Sequence, residues 1–126
     1  MAGELILIVE DNEKNRKLLR DVLTFKGYEI IEAETGEEGI RLTQERRPSL
    51  VLMDIRLPGI DGIEALGRLR AEPATRAIPV IAMTASVMTA DRQKITDAGF
   101  DAYQSKPIKV KDFVAAVEQL LERRQK

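Results

Sequence analysis

Short apolar runs alternate along this chain with longer amphipathic stretches. Leu5 to Val9, Leu50 to Met53 and Val80 to Met83 are four or five residues long, rich in Val, Ile and Leu, and continuous rather than alternating. That pattern belongs to strands covered on both faces. Tyr28 to Glu32 and Asp101 to Ser105 mix polar residues into similar runs and fit strands that meet solvent on one side, as at a sheet edge. Between the runs the spacing turns helical. Leu18, Leu19, Val22 and Leu23 recur on one side up to a stop at Gly27, and Val110, Phe113, Val114, Val117, Leu120 and Leu121 do the same near the C-terminus, so both helices should lay a face on the sheet. Thr35-Gly36-Glu37-Glu38 reads as a capping box opening a second helix, and Asp61 with Glu64 as the same device for a third that ends near Pro73. A fourth helix is predicted between Thr89 and Ala98, halted by Gly99.

Strand and helix thus alternate five times. That order calls for an α/β fold, a doubly wound five-stranded parallel sheet with five helices on both faces. With the first, third and fourth strands buried and the second and fifth at the edges, the flavodoxin-like order 2-1-3-4-5 fits, and it leaves a topological switch point between strands one and three. Ligands of such sheets bind there, beyond the carboxyl ends of the strands. The 126 residues suffice for one core, so residues 1–126 are expected to form a single domain, with Arg123 to Lys126 as a frayed tail.

Composition narrows the chemistry. The chain has 20 Lys and Arg against 21 Asp and Glu, a net charge of -1, which disfavours direct binding of nucleic acid by bulk charge. It contains no cysteine and no histidine, excluding disulfides, thiol chemistry, Cys or His zinc sites and Ser-His-Asp triads. No apolar run approaches the ~20 residues that cross a bilayer, and the expectation is a soluble cytoplasmic protein without a membrane segment. Any chemistry must run on carboxylates, hydroxyls and lysine.

Those groups stand at the strand ends. Glu10 and Asp11 follow the first strand, Asp54 the third, Thr84 the fourth and Lys106-Pro107 the fifth, so the expected topology brings three carboxylates, a hydroxyl and an ammonium to one rim. Two like charges ~4 Å apart cost on the order of 4 kcal/mol at an effective dielectric of ~20. The cluster therefore invites a cation. Its oxygen donors select a hard ion, and an open site that keeps water and admits phosphate oxygens suits Mg²⁺. A carboxylate beside that ion can attack a phosphoryl group to give an aspartyl phosphate. Plainer readings stand beside these. Asp11 alone serves equally well as a helix cap, Thr84 as a turn residue and Lys106 as a solvated surface group. Asp54 is harder to place plainly, because a charge after Leu50-Val51-Leu52-Met53 needs compensation.

The segments Ile8-Val9-Glu10-Asp11-Asn12, Met53-Asp54-Ile55-Arg56-Leu57-Pro58-Gly59-Ile60-Asp61-Gly62, Met83-Thr84-Ala85 and Tyr103-Gln104-Ser105-Lys106-Pro107, in this order and spacing, resemble the receiver domain of bacterial two-component response regulators across nearly the whole chain. Glu10-Asp11-Asn12 with Asn15, and Thr84-Ala85 with Lys106-Pro107-Ile108, look most like stand-alone, single-domain receivers of the DivK kind and the receiver modules of hybrid kinases.

The resemblance implies roles. Asp54 would be the phosphoacceptor, taking a phosphoryl group from a histidine kinase or phosphotransfer protein. Asp11, Asp54 and the backbone carbonyl of Arg56 would bind Mg²⁺, with Glu10 reaching it directly or through water. Lys106 would pair with the phosphoryl group, across a cis bond to Pro107. Thr84 would move toward a phosphoryl oxygen and Tyr103 would turn inward behind it. The protein would catalyse only its own phosphorylation and dephosphorylation. It would signal to a downstream protein effector through the fourth helix, fifth strand and fifth helix, as a monomer or a phosphorylation-dependent dimer.

Strand parity places Tyr103 and Lys106, three residues apart, on opposite faces; the plainer reading of Tyr103 is a half-exposed edge aromatic. Val87, Met88 and Ala90 are either a partner patch or helix packing on the sheet. Arg56 and Ser86, each two residues beyond a site residue, are positions where the resemblance implies control of phosphoryl lifetime; Arg56 either shields the bond or pairs with Glu10. Three rivals are weaker. An aspartyl-phosphate phosphatase resembles a pattern with a second Asp two residues after the first, where this chain has Glu13. A flavin or nucleotide binder needs a phosphate loop that Glu10-Asp11-Asn12-Glu13 would repel. A plain interaction module would have no need of the complete acidic set.

Overall fold

All five residues of Leu50–Asp54 and of Val80–Thr84 are buried, the continuous coverage that their unbroken apolar runs predict. The computed structural model of the chain describes residues 3–85 and 89–124. In it β1 (Leu5–Val9), α1 (Glu13–Phe25), β2 (Glu29–Ala33), α2 (Gly36–Arg46), β3 (Leu50–Asp54), α3 (Gly62–Ala71), β4 (Val80–Thr84), α4 (Thr89–Ala98), β5 (Ala102–Ser105) and α5 (Val110–Arg124) follow one another. The strands form one parallel sheet in the order β2-β1-β3-β4-β5.

Alternate residues of each buried strand face two separate layers. Ile6, Ile8, Leu50, Leu52, Ile81 and Met83 pack with Leu19 and Leu23 of α1 and with Phe113, Val117 and Leu121 of α5. Leu7, Val9, Val51, Met53 and Val80 pack on the opposite side with Ala65, Leu66 and Leu69 of α3, joined by Ile40 of α2 and Ala98 of α4. The period of two within each strand is thus the reason that helices occupy both faces.

The helix boundaries follow their local chemistry. Thr35 and Asp61 accept hydrogen bonds from the amides of Glu38 and Glu64, closing the first turns of α2 and α3. In α2 the returning carboxylate of Glu38 meets the amide of Glu34 rather than that of the cap. Gly27 and Gly99, both predicted stops, have φ of 95° and 101°, a left-handed backbone that glycine adopts without steric cost.

Several expectations shift. β2 begins at Glu29 rather than Tyr28, because the Tyr28 amide is spent on the carbonyl of Leu23 at the end of α1, and the strand runs on to Ala33, paired with Val9. β5 begins at Ala102, because Asp101 turns its carboxylate to Arg70 and to the amide of Val80. β3 and β4 each extend one residue further than their apolar runs, so Asp54 and Thr84 are the last residues of strands. Leu18 is turned to solvent and does not join the sheet-facing row of Leu19 and Leu23. α5 continues through Arg123 and Arg124, which were expected to fray. Ser86, Val87, Met88 and the side chain of Ala90 lie outside the described residues. No helix among those described is long and apolar enough to cross a membrane.

Candidate functional site

The sheet order places the carboxyl ends of β1 and β3 side by side, and α3 reaches the same rim through one close approach. The Gly62 amide donates to the Ile55 carbonyl at 2.9 Å. A Cβ built on Gly62 would collide with the carbonyl oxygen of Asp54 and stand 2.9 Å from the Ile55 Cα, so only glycine lets the helix start this close to Asp54. Ladder bonds also run past the formal strand ends: the Glu10 amide donates to Ala33, that of Ile55 to Met83, and that of Lys106 to Thr84 at 2.8 Å. The Lys106-Pro107 bond is cis, as expected.

These anchors surround a crevice of about 330 Å³ lined by Glu10, Asp11, Asn12, Asn15, Asp54, Ile55, Arg56, Thr84, Ala85 and Lys106. Glu10, Asp54 and Thr84 are buried, whereas Asp11 is exposed at the mouth. Oxygens of Glu10, Asp11 and Asp54 lie within 4.8 Å of one another. Lys106 Nζ stands between two of them, 2.7 Å from Oε1 of Glu10 and 2.8 Å from Oδ2 of Asp54. Oδ1 of Asp54 accepts from the amide of Arg56 at 3.1 Å.

Burial pushes the Glu10 carboxyl above its ordinary pKa, and the neighbouring Asp54 carboxylate pushes it further than Lys106 and the Asn12 amide pull it back. Burial works against the charge of Lys106, but its bonds to Asp54 and Glu10, with their charges, raise its pKa on balance. The ammonium therefore stays protonated, and the carboxylate cluster still favours added positive charge. Three convergent hard oxygens on a polar, open crevice fit a hard divalent cation such as Mg²⁺. Zinc's usual nitrogen and sulfur donors are absent from the chain.

The structure thus brings Glu10, Asp11, Asp54, Thr84, Lys106 and the backbone at Arg56 to one place. Tyr103 leaves by the other face, as parity requires: the residue is 37% exposed, and its ring lies beneath the guanidinium of Arg92 on α4, 5.7 Å from the ring centroid. The Arg56 side chain is exposed, and no pairing with Glu10 occurs among the described residues. Glu10 instead spends its oxygens on Lys106, the Asn12 amide and the Asn15 side chain.

Asp11 does not cap α1. Asn12 does, accepting from the amide of Asn15 at 3.0 Å, which frees the Asp11 carboxylate to face the crevice mouth. Sequence reasoning gave no role to Asn12, Asn15 or Arg16. An asparagine directly before an amphipathic helix is a capping signal, and at this boundary it stood next to an equally good candidate.

Comparison with known proteins agrees with this geometry. Residues 6–118 match the family model described as response regulator receiver domain. Over 116 residues, covering 92% of this chain and 94% of the relative, the sequence is 45% identical to the polar-differentiation response regulator DivK of Brucella anthropi. It is 44% identical, with the same coverage, to that of Brucella ovis. Among solved structures, the receiver domain of a sensor histidine kinase from Pseudomonas aeruginosa, with a magnesium ion coordinated in its active-site cleft, superposes with a TM-score of 0.89 at 33% identity, covering 96% of this chain and 99% of that one. The signal receiver domain of a signal transduction histidine kinase from Syntrophus aciditrophicus also gives 0.89, at 31% identity over 95% and 91% of the two chains.

Proposed function

Because this chain belongs to the response regulator receiver domain family and is a phosphoacceptor signalling switch of two-component systems, we propose that Asp54 is the residue that receives the phosphoryl group. The observation that carries this reading is the pairing of a buried Asp54 with Lys106 at 2.8 Å inside the acidic crevice.

The chemistry follows from what each group can do. Phosphorylation forms a bond from an Asp54 carboxylate oxygen to phosphorus and breaks the phosphorus–nitrogen bond of a donor phosphohistidine, whose imidazole leaves with the electron pair and takes up a proton. Lys106 supplies a fixed positive charge beside the transferred oxygens. Thr84, the last residue of the adjacent strand, offers its hydroxyl to one of those oxygens once the group is in place. Glu10, Asp11, Asp54 and the Arg56 carbonyl would hold Mg²⁺. When bound, that ion neutralises the carboxylates and the charge spread over the phosphoryl oxygens. The protein thus promotes only its own phosphorylation and dephosphorylation.

Receiver domains exchange phosphoryl groups with histidine kinases or phosphotransfer proteins, and the open mouth of the crevice suits such a donor. For the output, Tyr103 lies outward against Arg92. Movement of Thr84 toward a phosphoryl group makes room behind β4, and an inward turn of Tyr103 then changes the α4-β5-α5 face read by a downstream protein effector or by a second copy of the chain.

Intact-mass measurement with a small acyl phosphate tests the assignment. The wild-type chain gains the mass of one phosphoryl group in Mg²⁺ and not in chelator, and Asp54→Asn gains none. Full labelling of Asp54→Asn would overturn it.

A further inference from the structure

The Arg16 guanidinium donates from one nitrogen, Nη1, to two consecutive backbone carbonyls, that of Glu10 at 3.0 Å and that of Asp11 at 3.2 Å. These carbonyls belong to the two peptide planes that flank the Cα of Asp11. Each plane is rigid, so orienting both fixes φ and ψ at Asp11 and with them the direction of its Cα–Cβ bond. The Asp11 carboxylate is exposed and forms no hydrogen bond or ion pair among the described residues. Its aim therefore depends on its backbone.

Arg16 is itself held. Its side chain is only 14% exposed, and its Nε lies 3.4 Å from Glu32, with Nη1 3.7 Å from Glu34. Glu32 in turn accepts two bonds from Arg20 at 3.0 Å. These carboxylates balance the guanidinium, so it orients the acidic loop without neutralising the crevice.

We infer that Arg16 is a positioning residue for phosphoryl acceptance, clamping the β1–α1 loop so that Asp11 presents its carboxylate to the divalent cation. The inference rests on the proposed reading of Asp11 as a metal ligand, and it places on α1 a determinant of cation affinity that touches neither cation nor phosphoryl group.

The test is a double-mutant cycle read by calorimetric titration with Mg²⁺ alone, accompanied by urea denaturation to confirm folding. Arg16→Ala should weaken Mg²⁺ binding about tenfold, the order expected when a group supporting a metal ligand is removed. Asp11→Ala should weaken it at least as much, and the double variant should be no weaker than Asp11→Ala, because Arg16 acts through Asp11. Unchanged affinity in Arg16→Ala, or losses that simply add in the double variant, would overturn the inference and leave the metal-site reading standing. Unchanged affinity in Asp11→Ala would bring down that reading together with the inference. Should Arg16→Ala fail to fold, Arg16→Lys keeps the stem and the charge beside Glu32 but loses the planar fork. It carries the same test, with an expected loss of Mg²⁺ affinity in the same direction.

Discussion

Lys106, at the end of β5, lies 2.8 Å from Asp54 at the end of β3, and the same ammonium lies 2.7 Å from Glu10 beyond β1. One cation thus ties three chain segments that are distant in sequence, and it does so at the oxygens that would receive a metal. Removing it by Lys106→Ala leaves two buried carboxylates facing each other, and should lower stability in chelator by about 1–3 kcal/mol. The variant should also bind Mg²⁺ more tightly than wild type, since the ammonium no longer competes for the same oxygens. Urea unfolding with and without Mg²⁺ measures both effects, and a variant that Mg²⁺ stabilises less than wild type would contradict this account.

Gly62 admits the start of α3 against the carbonyl of Asp54. Gly62→Ala should force that helix or the end of β3 to shift, at a cost of about 1–3 kcal/mol, and slow phosphorylation by an acyl phosphate through the displaced Asp54. Urea midpoints and labelling rates check this together. Wild-type values in both would show that the approach is looser than the structure has it.

Tyr28 gives a pH signature remote from the crevice. Burial pushes its phenol above the ordinary value of 10.0, and the carboxylates of Glu118 and Glu4 add to the shift. A folded pKa above the unfolded one means that the contribution of this group is fully present below about pH 10 and lost as pH rises through the folded value. Stability measured by urea should therefore fall in alkali more steeply in wild type than in Tyr28→Phe. Equal slopes would remove Tyr28 from the alkaline response.

Much of this was legible in the residues. Continuous runs of Val, Ile and Leu marked the strands covered on both faces, polar interruptions marked the two edges, and among doubly wound orders the observed 2-1-3-4-5 fits that pattern. That order alone places Glu10, Asp11, Asp54, Thr84 and Lys106 on one rim. What stayed hidden depended on tertiary bonds that leave no periodic trace. Tyr28 has strand-forming character, yet its amide closes α1. Leu18 has helical spacing, yet it falls just outside the buried arc set by Leu19 and Leu23. Arg16 reads as a surface cation near the start of a helix, where the macrodipole disfavours positive charge, and its contact with two carbonyls appears only once the β1–α1 loop folds back on α1.

The most direct test of the central claim is to trap the phosphorylated chain with borohydride, which reduces an aspartyl phosphate to homoserine, and to map the product by peptide mass spectrometry. The account predicts homoserine at position 54 alone, formed in Mg²⁺ and absent in chelator. Homoserine at Asp11 or any other aspartate, or none at position 54 in a chain that has gained a phosphoryl group, would contradict it.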